Sequence, residues 1–338
     1  MLQKIKIPKI KSLLKSKREV SNIIFIPCFV ITYIVCILIA TSQFMDYIGY
    51  TGYLYKNTAT TMVNKLEEEY LYQRIFNTEE YKVLKDELFD NKIISKQDYK
   101  KFLDGAKNLA EDEFSFYLFD DYTRIKKVDR VDRYTKAIKK STDNLKYEIK
   151  NKELGYISFT EFKEETSDKF IKALEHFKEN NIRNLIIDLR KNRGGNTDEA
   201  NIIADALLPE GQMLRLKFLK EEIIYYSDES HIEFDKIFVF LSEESASCAE
   251  ILPLSLKENL ESDKVILIGN QTRKKDVGQT TYQNDSSRFY YGIVSNKWFV
   301  HDKDVNDLNE YLESYDVQFK IDDDKAYYDV VYKNLNNK

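Results

Sequence analysis

The chain is 338 residues long and 43% hydrophobic, with 52 basic against 57 acidic side chains and a formal net charge of −5. That balance gives no sign of nucleic-acid binding, and 10 glycines with 4 prolines are too few for long disordered linkers. Cys28 and Cys36 share one apolar run, which leaves Cys248 alone in the soluble region; a disulfide framework there is excluded, and three scattered histidines argue against a zinc site.

Residues 20–41 read VSNIIFIPCFVITYIVCILIAT, without a charged side chain. The run is long enough to cross a bilayer, which takes about 20 residues. Lys4, Lys6, Lys9, Lys11, Lys15, Lys17 and Arg18 precede it. The positive-inside rule then predicts a cytoplasmic basic segment at 1–19, a transmembrane anchor at 20–42 and an extracytoplasmic remainder. A buried core helix and a cleavable signal peptide compete with this reading. The one-sided basic flank argues against the first, and the absence of a small-x-small site against the second.

Residues 57–110 carry helical stripes: Met62, Leu66 and Tyr70; Tyr81, Leu84 and Leu88; then Tyr99, Phe102, Leu103, Ala106 and Leu109, with Ser95 placed to cap the third. They predict a small helical subdomain. Residues 111–145 mix charges without clear periodicity and are expected to connect, with one helix at most. The two segments together make a unit at 43–145, ahead of a second at 146–338.

From 154 the pattern alternates. A strand at 155–159 is followed by Ser167 ahead of a helix bearing Phe170, Leu174 and Phe177. A short apolar strand at 184–189 precedes a helix at 198–208. Buried-type strands follow at 237–241 and 265–268, and further strands are expected near 289–294 and 327–332. Strands alternating with helices predict an α/β core with a partly parallel sheet.

Three stretches carry candidate chemistry. Ser247 follows the apolar run 237–241 and precedes a helix, a turn that exposes a side chain at a helix N-terminus. A serine there also serves as an ordinary N-cap, and Pro253 is unexpected so far into a helix. Lys275 can act as a base only if neutral, so its pKa must fall from about 10.4 by roughly 3 units through burial away from carboxylates. The alternative is a solvated surface lysine. Lys274 competes for the role, and Asp276 must point away. Gly194 and Gly195, after the strand at 184–189, allow close backbone approach; with the amide of Cys248 their N–H groups are candidates for an oxyanion hole. An ordinary strand-to-helix turn is the alternative, and Cys248 is a weaker candidate nucleophile, with no histidine near it in sequence.

Taken together the stretches resemble the carboxy-terminal processing (tail-specific) serine proteases. Residues 185–195, LIIDLRKNRGG, look like that family's LIIDLRxNxGG element. Residues 245–251, SASCAEI, look like its SASASEI element, and residues 269–279, GNQTRKKDVGQ, like its GExTxGKGxxQ element. The resemblance covers roughly 150–300 and implies a ClpP/crotonase-like α/β core, Ser247 as nucleophile, Lys275 as base and Gln279 as its orienting partner. No cofactor or metal is implied, and the implied partner is a protein or peptide substrate. Residues 111–118, EDEFSFYL, faintly resemble the family's DPYSxYL stretch.

The departures matter too. Only some 30 residues separate Leu118 from Tyr147, too few for the PDZ module often found there. Lys274 and Asp276 replace the glycines flanking the family's lysine. His176, His231 and His301 match no histidine of the sister group. The expected protein is a membrane-anchored, extracytoplasmic serine endopeptidase; the alternative is a catalytically inactive relative that binds extracellular peptides.

Overall fold

The computed structural model describes residues 31–40, 53–54, 56–91, 93–119, 144–284, 289–312 and 319–336. Residues 31–40 are helical and exposed throughout. No described helix is long and apolar enough to cross a membrane. The remainder of the apolar run lies outside the described residues, as does most of the expected connector, 120–143.

A helical subdomain opens the described soluble region. It contains β1 (Tyr53–Leu54), α1 (Lys56–Glu69), α2 (Glu79–Asp90), β2 (Ile94–Ser95) and α3 (Lys96–Ala110), with β1 antiparallel to β2. Ser95 caps α3: its Oγ accepts the Asp98 N–H at 3.0 Å, and Asp98 Oδ2 accepts the Ser95 N–H at 2.8 Å. This satisfies two of the orphan donors at the helix start. The predicted stripes are its core. Met62, Leu66, Tyr70, Tyr81, Leu88, Tyr99, Phe102, Leu103 and Ala106 are buried, each large side chain contributing about 1.5–3 kcal/mol.

Where a connector was expected, residues 116–119 form a strand, β3 (Phe116–Phe119). The aromatic sequence FYLF suits a pleated surface better than a charged coil.

The chain continues through β4 (Leu145–Lys150), β5 (Leu154–Phe159), α4 (Thr166–Glu179), β6 (Asn184–Asp188), α5 (Thr197–Asp205), β7 (Gly211–Phe218) and β8 (Glu222–Ser227). It then forms β9 (Lys236–Leu241), α6 (Cys248–Asn259), β10 (Val265–Gly269), β11 (Val277–Asn284), β12 (Phe289–Phe299), α7 (Val305–Leu308) and α8 (Asp324–Asn336). Ser167 lies inside α4 rather than ahead of it; its N–H donates to Glu199 Oε2 at 2.8 Å, which helps draw α4 toward α5.

The central sheet has the order β10-β9-β6-β5-β4, parallel except for β4. Its inner strands are apolar on both faces because both faces are covered. Leu185, Ile187, Ile237 and Val239 pack with Phe170, Leu174, Ile203 and Ile251 from α4, α5 and α6. Ile186, Phe238, Phe240 and Ile266 pack on the other side with Tyr327, Val330 and Val331 of α8. The strand expected near 327–332 is therefore a helix: Tyr327, Val330 and Val331 recur at the i, i+3, i+4 spacing that lays one face on a sheet.

A second, antiparallel sheet has the order β11-β12-β7-β8, and β3 also pairs with β12. Val277, Tyr291, Ile293 and Val294 of this sheet belong to the core of the helical subdomain. That packing brings the helical subdomain against β11, the strand that follows the loop carrying the candidate base.

Candidate active site

Two turns at the carboxyl ends of parallel strands build one side of the site. After β9, Ser242 Oγ donates to the Arg190 carbonyl at 2.6 Å and Ser245 Oγ to the Leu189 carbonyl at 2.9 Å, pinning the turn to the end of β6. Ser247 follows at φ 62, ψ −124. A non-glycine residue there is strained by about 1–3 kcal/mol and is held by its surroundings. The helix α6 begins at Cys248 and runs on through Pro253, forfeiting a single intrahelical bond.

The strain at Ser247 is held by Glu250, which is fully buried. Its Oε2 accepts the Ser247 N–H at 2.6 Å and the Lys275 N–H at 3.1 Å, while its Oε1 accepts the Lys274 N–H at 2.7 Å and the Thr272 hydroxyl at 2.5 Å. One carboxylate thus ties the serine turn to the lysine loop. Burial pushes its pKa up, and the four hydrogen bonds oppose that rise.

The glycine pair lies across from Ser247. Asn192 is completely buried; its Oδ1 accepts the Gly194 N–H at 2.8 Å, and its Nδ2 donates to the Phe159 carbonyl at 3.1 Å. Both glycines have positive φ, 96 and 143. A Cβ on Gly194 would meet Ser247 Oγ at 2.9 Å, and one on Gly195 would meet the Phe162 carbonyl oxygen at 2.0 Å. Only glycine fits either position. The Gly194 N–H is therefore engaged, whereas the N–H groups of Gly195 and of Cys248, first in its helix, have no partner among the described residues.

Lys275 and Gln279 come from the loop before β11 and from β11 itself. Lys275 Nζ donates to Gln279 Oε1 at 3.0 Å, and Gln279 Nε2 donates to the Phe114 carbonyl at 2.9 Å. The ammonium lies 5.7 Å from the centre of the Phe114 ring. No carboxylate among the described residues lies within ion-pair distance of Lys275; Asp276 pairs instead with Lys297 at 3.0 Å. Burial is the main reason the Lys275 pKa falls below the ordinary lysine value. Lys274 is exposed. The Cys248 thiol is buried, donates to the Gly195 carbonyl at 3.4 Å, and is pushed by burial up to about 11. It is a protonated thiol at neutral pH, which argues against it as nucleophile.

Ser247, Lys275, Gln279 and Gly195 line one open cleft of about 910 Å³, whose walls include Leu216, Phe218, Tyr225 and Trp298. The sequence reading assigned no role to Glu250, Asn192 or the Phe114 carbonyl. Glu250 and Asn192 sit inside the quoted motifs, so a signal existed. The carbonyl comes from another segment and leaves no mark in side-chain spelling.

Residues 153–306 match Peptidase family S41. The carboxy-terminal processing protease CtpA of Bacillus subtilis is 26% identical over 190 residues, covering 53% of this chain and 40% of that protein. A probable CtpA-like serine protease of Staphylococcus aureus is 30% identical over 161 residues, covering 46% and 31%. The chain thus spans less than half the length of these curated relatives. A lipoprotein from Streptococcus agalactiae shares the fold at a TM-score of 0.53 and 14% identity, covering 72% of this chain and 85% of that one. Over residues 153–306, the chain is thus similar to the peptidases of family S41.

Proposed function

We propose that the protein is a serine endopeptidase that cleaves protein or peptide substrates through an acyl-enzyme. Ser247 Oγ attacks the scissile carbonyl while neutral Lys275 takes its proton. The N–H groups of Cys248 and Gly195 hold the oxyanion, each donor worth about 3–4 kcal/mol in the transition state. Lys275 then protonates the leaving amine, and a water deprotonated by the same lysine hydrolyses the ester. Gln279 aims the lysine. Of the two glycines, Gly195 takes the oxyanion role because the Gly194 N–H is already bound to Asn192.

One observation carries this reading: a half-buried lysine with no carboxylate partner among the described residues lines the same cleft as a serine on a strained turn. A structural lysine would be paired or solvated, whereas an unpaired one is poised to lose its proton. The catalytic unit is a ClpP/crotonase-like core at 146–338, preceded by the helical unit at 43–145. The uncharged run at 20–42, behind its basic flank, anchors the protein in the membrane with the cleft outside the cytoplasm. Neither cofactor nor metal takes part in the proposed steps.

The test is turnover of fluorescein-labelled casein by the full chain. Hydrolysis that disappears in Ser247→Ala, with a serine-directed probe labelling Ser247 in the wild type, supports the reading. Casein bound but neither cut nor accompanied by Ser247 labelling identifies a peptide-binding relative instead. For topology, protease added to intact cells should digest the region beyond 43; protection until lysis would reverse the orientation.

A further inference from the structure

We infer that Asp112 is a positioning residue for this site, fixing the 112–115 turn so that the Phe114 carbonyl holds Gln279 and Gln279 holds the amine of Lys275; this rests on the Ser–Lys reading above. Asp112 follows α3 in the helical subdomain, outside the matched family segment, and is 6% exposed. Its Oδ1 accepts the N–H groups of Phe114 at 2.8 Å and Ser115 at 3.0 Å. Its Oδ2 accepts the hydroxyl of the fully buried Tyr70 at 2.7 Å. Both carboxylate oxygens are thus committed, one to the turn and one to the helical core.

The far side of the turn is fixed to the strand facing Gln279. Ser115 Oγ accepts the Val294 N–H at 2.9 Å, and the Leu71 N–H donates to the Val294 carbonyl at 2.8 Å. Val294 is the register partner of Gln279, and the register breaks between Gly278 and Gln279. Such irregularities re-aim a side chain beside an active site.

The consequence is directional. An amide has one donor end and one acceptor end. With its Nε2 held by the Phe114 carbonyl, Gln279 must present Oε1 to Lys275. A displaced turn would release the amide to rotate, and the amine would lose the group that aims it at Ser247. Asp112 touches neither substrate nor base; it acts through Phe114 and Gln279.

The experiment measures steady-state hydrolysis, by the full chain in detergent, of a fluorogenic peptide that the wild type cuts. Asp112→Ala is expected to lower kcat by about ten- to a hundredfold at unchanged KM, as small misplacements of catalytic groups do. Asp112→Asn keeps an Oδ1 acceptor for the turn and should recover most of the loss. The Asp112→Ala/Gln279→Ala double variant should be no slower than Gln279→Ala alone, because the two sit on one path. Losses that multiply in the double variant, or a change confined to KM, would overturn the inference and leave Asp112 a merely structural residue. If Asp112→Ala fails to fold by circular dichroism, Tyr70→Phe takes its place. It removes one hydroxyl and should lower kcat less, again without multiplying with Gln279→Ala; multiplying losses overturn the inference. Lys275→Ala inactive beside a fully active Asp112→Ala defeats this inference alone. Lys275→Ala as active as the wild type defeats the Ser–Lys reading, and the inference with it.

Discussion

Asp276 pairs with Lys297 at 3.0 Å, and its sequence neighbour Lys275 has no carboxylate partner among the described residues. A carboxylate beside the amine would hold it protonated, and Lys297 draws that charge off. Lys297 also pairs with Asp304 at 3.1 Å, which fixes it in place. Replacing Lys297 by Met should free the Asp276 charge to favour the ammonium form of Lys275. The acid limb of kcat/KM should then move to higher pH, whereas Lys297→Arg should leave it in place. A limb that stays put in Lys297→Met would show that Asp276 has no electrostatic access to the base.

The base itself is tested by comparing neighbours. Lys275→Ala should be nearly as inactive as Ser247→Ala, since nucleophile and base act as a unit. Lys275→Arg should be equally damaged, because a guanidinium keeps its proton at working pH. Lys274 is exposed and offers only its backbone N–H to Glu250, so Lys274→Ala should stay near the wild type. Gln279→Ala should fall between these extremes. Initial rates for the five variants decide the matter, and inactivation by Lys274→Ala alone would move the base by one residue.

The lowered pKa of Lys275 also has a signature in stability. The unfolded lysine titrates near 10.4, above the folded one. Between the two values the unfolded state binds more protons, so the Lys275 contribution to stability rises with pH across that window. Lys275→Met, apolar and similar in length, should therefore melt higher than the wild type below the folded pKa, with the gap narrowing as pH approaches 10. Thermal melts in a pH series check this. A gap that widens with pH would mean the folded lysine prefers its proton.

Glu250 accepts four hydrogen bonds and has no donor of its own to offer when ionised. Glu250→Gln is isosteric but places an NH2 against two N–H or O–H donors. It should destabilise the fold by roughly 2–4 kcal/mol, the cost of two buried groups left unpaired. Chemical denaturation at neutral pH measures it. A change under about 0.5 kcal/mol, the size expected of an ordinary surface substitution, would show that the buried carboxylate does not tie the two loops together.

The sequence by itself determined the local elements. Helical stripes such as Tyr99, Phe102, Leu103 and Ala106 are spelled by a periodicity of 3.6, and doubly buried strands such as 184–188 and 237–241 by short continuous apolar runs. It also carried the spacing of the serine, lysine and glycine stretches, because each lies within one short segment. Tyr327–Tyr332 was misread because a run of aromatic and β-branched residues suits a strand until a sheet face is available for a helix to cover. The strands β7 and β8 were not anticipated, since their partly exposed pattern gains meaning only from pairing.

Only the tertiary structure decided the chemistry of the candidate base. A lysine in a charged loop reads as solvated; its burial comes from the approach of the helical subdomain and β11. That Gly195 rather than Gly194 keeps a free N–H depends on where Asn192 points. That Gln279 faces Lys275 with its oxygen depends on a backbone carbonyl from residue 114. The Asn192 contact is local, but the direction of its side chain is set by the Phe159 carbonyl from another strand. The Gln279 contact joins distant parts of the chain through a backbone group that every residue possesses, so residue identity could not reveal it; the packing of the helical core against β11 and β12 brings the two together.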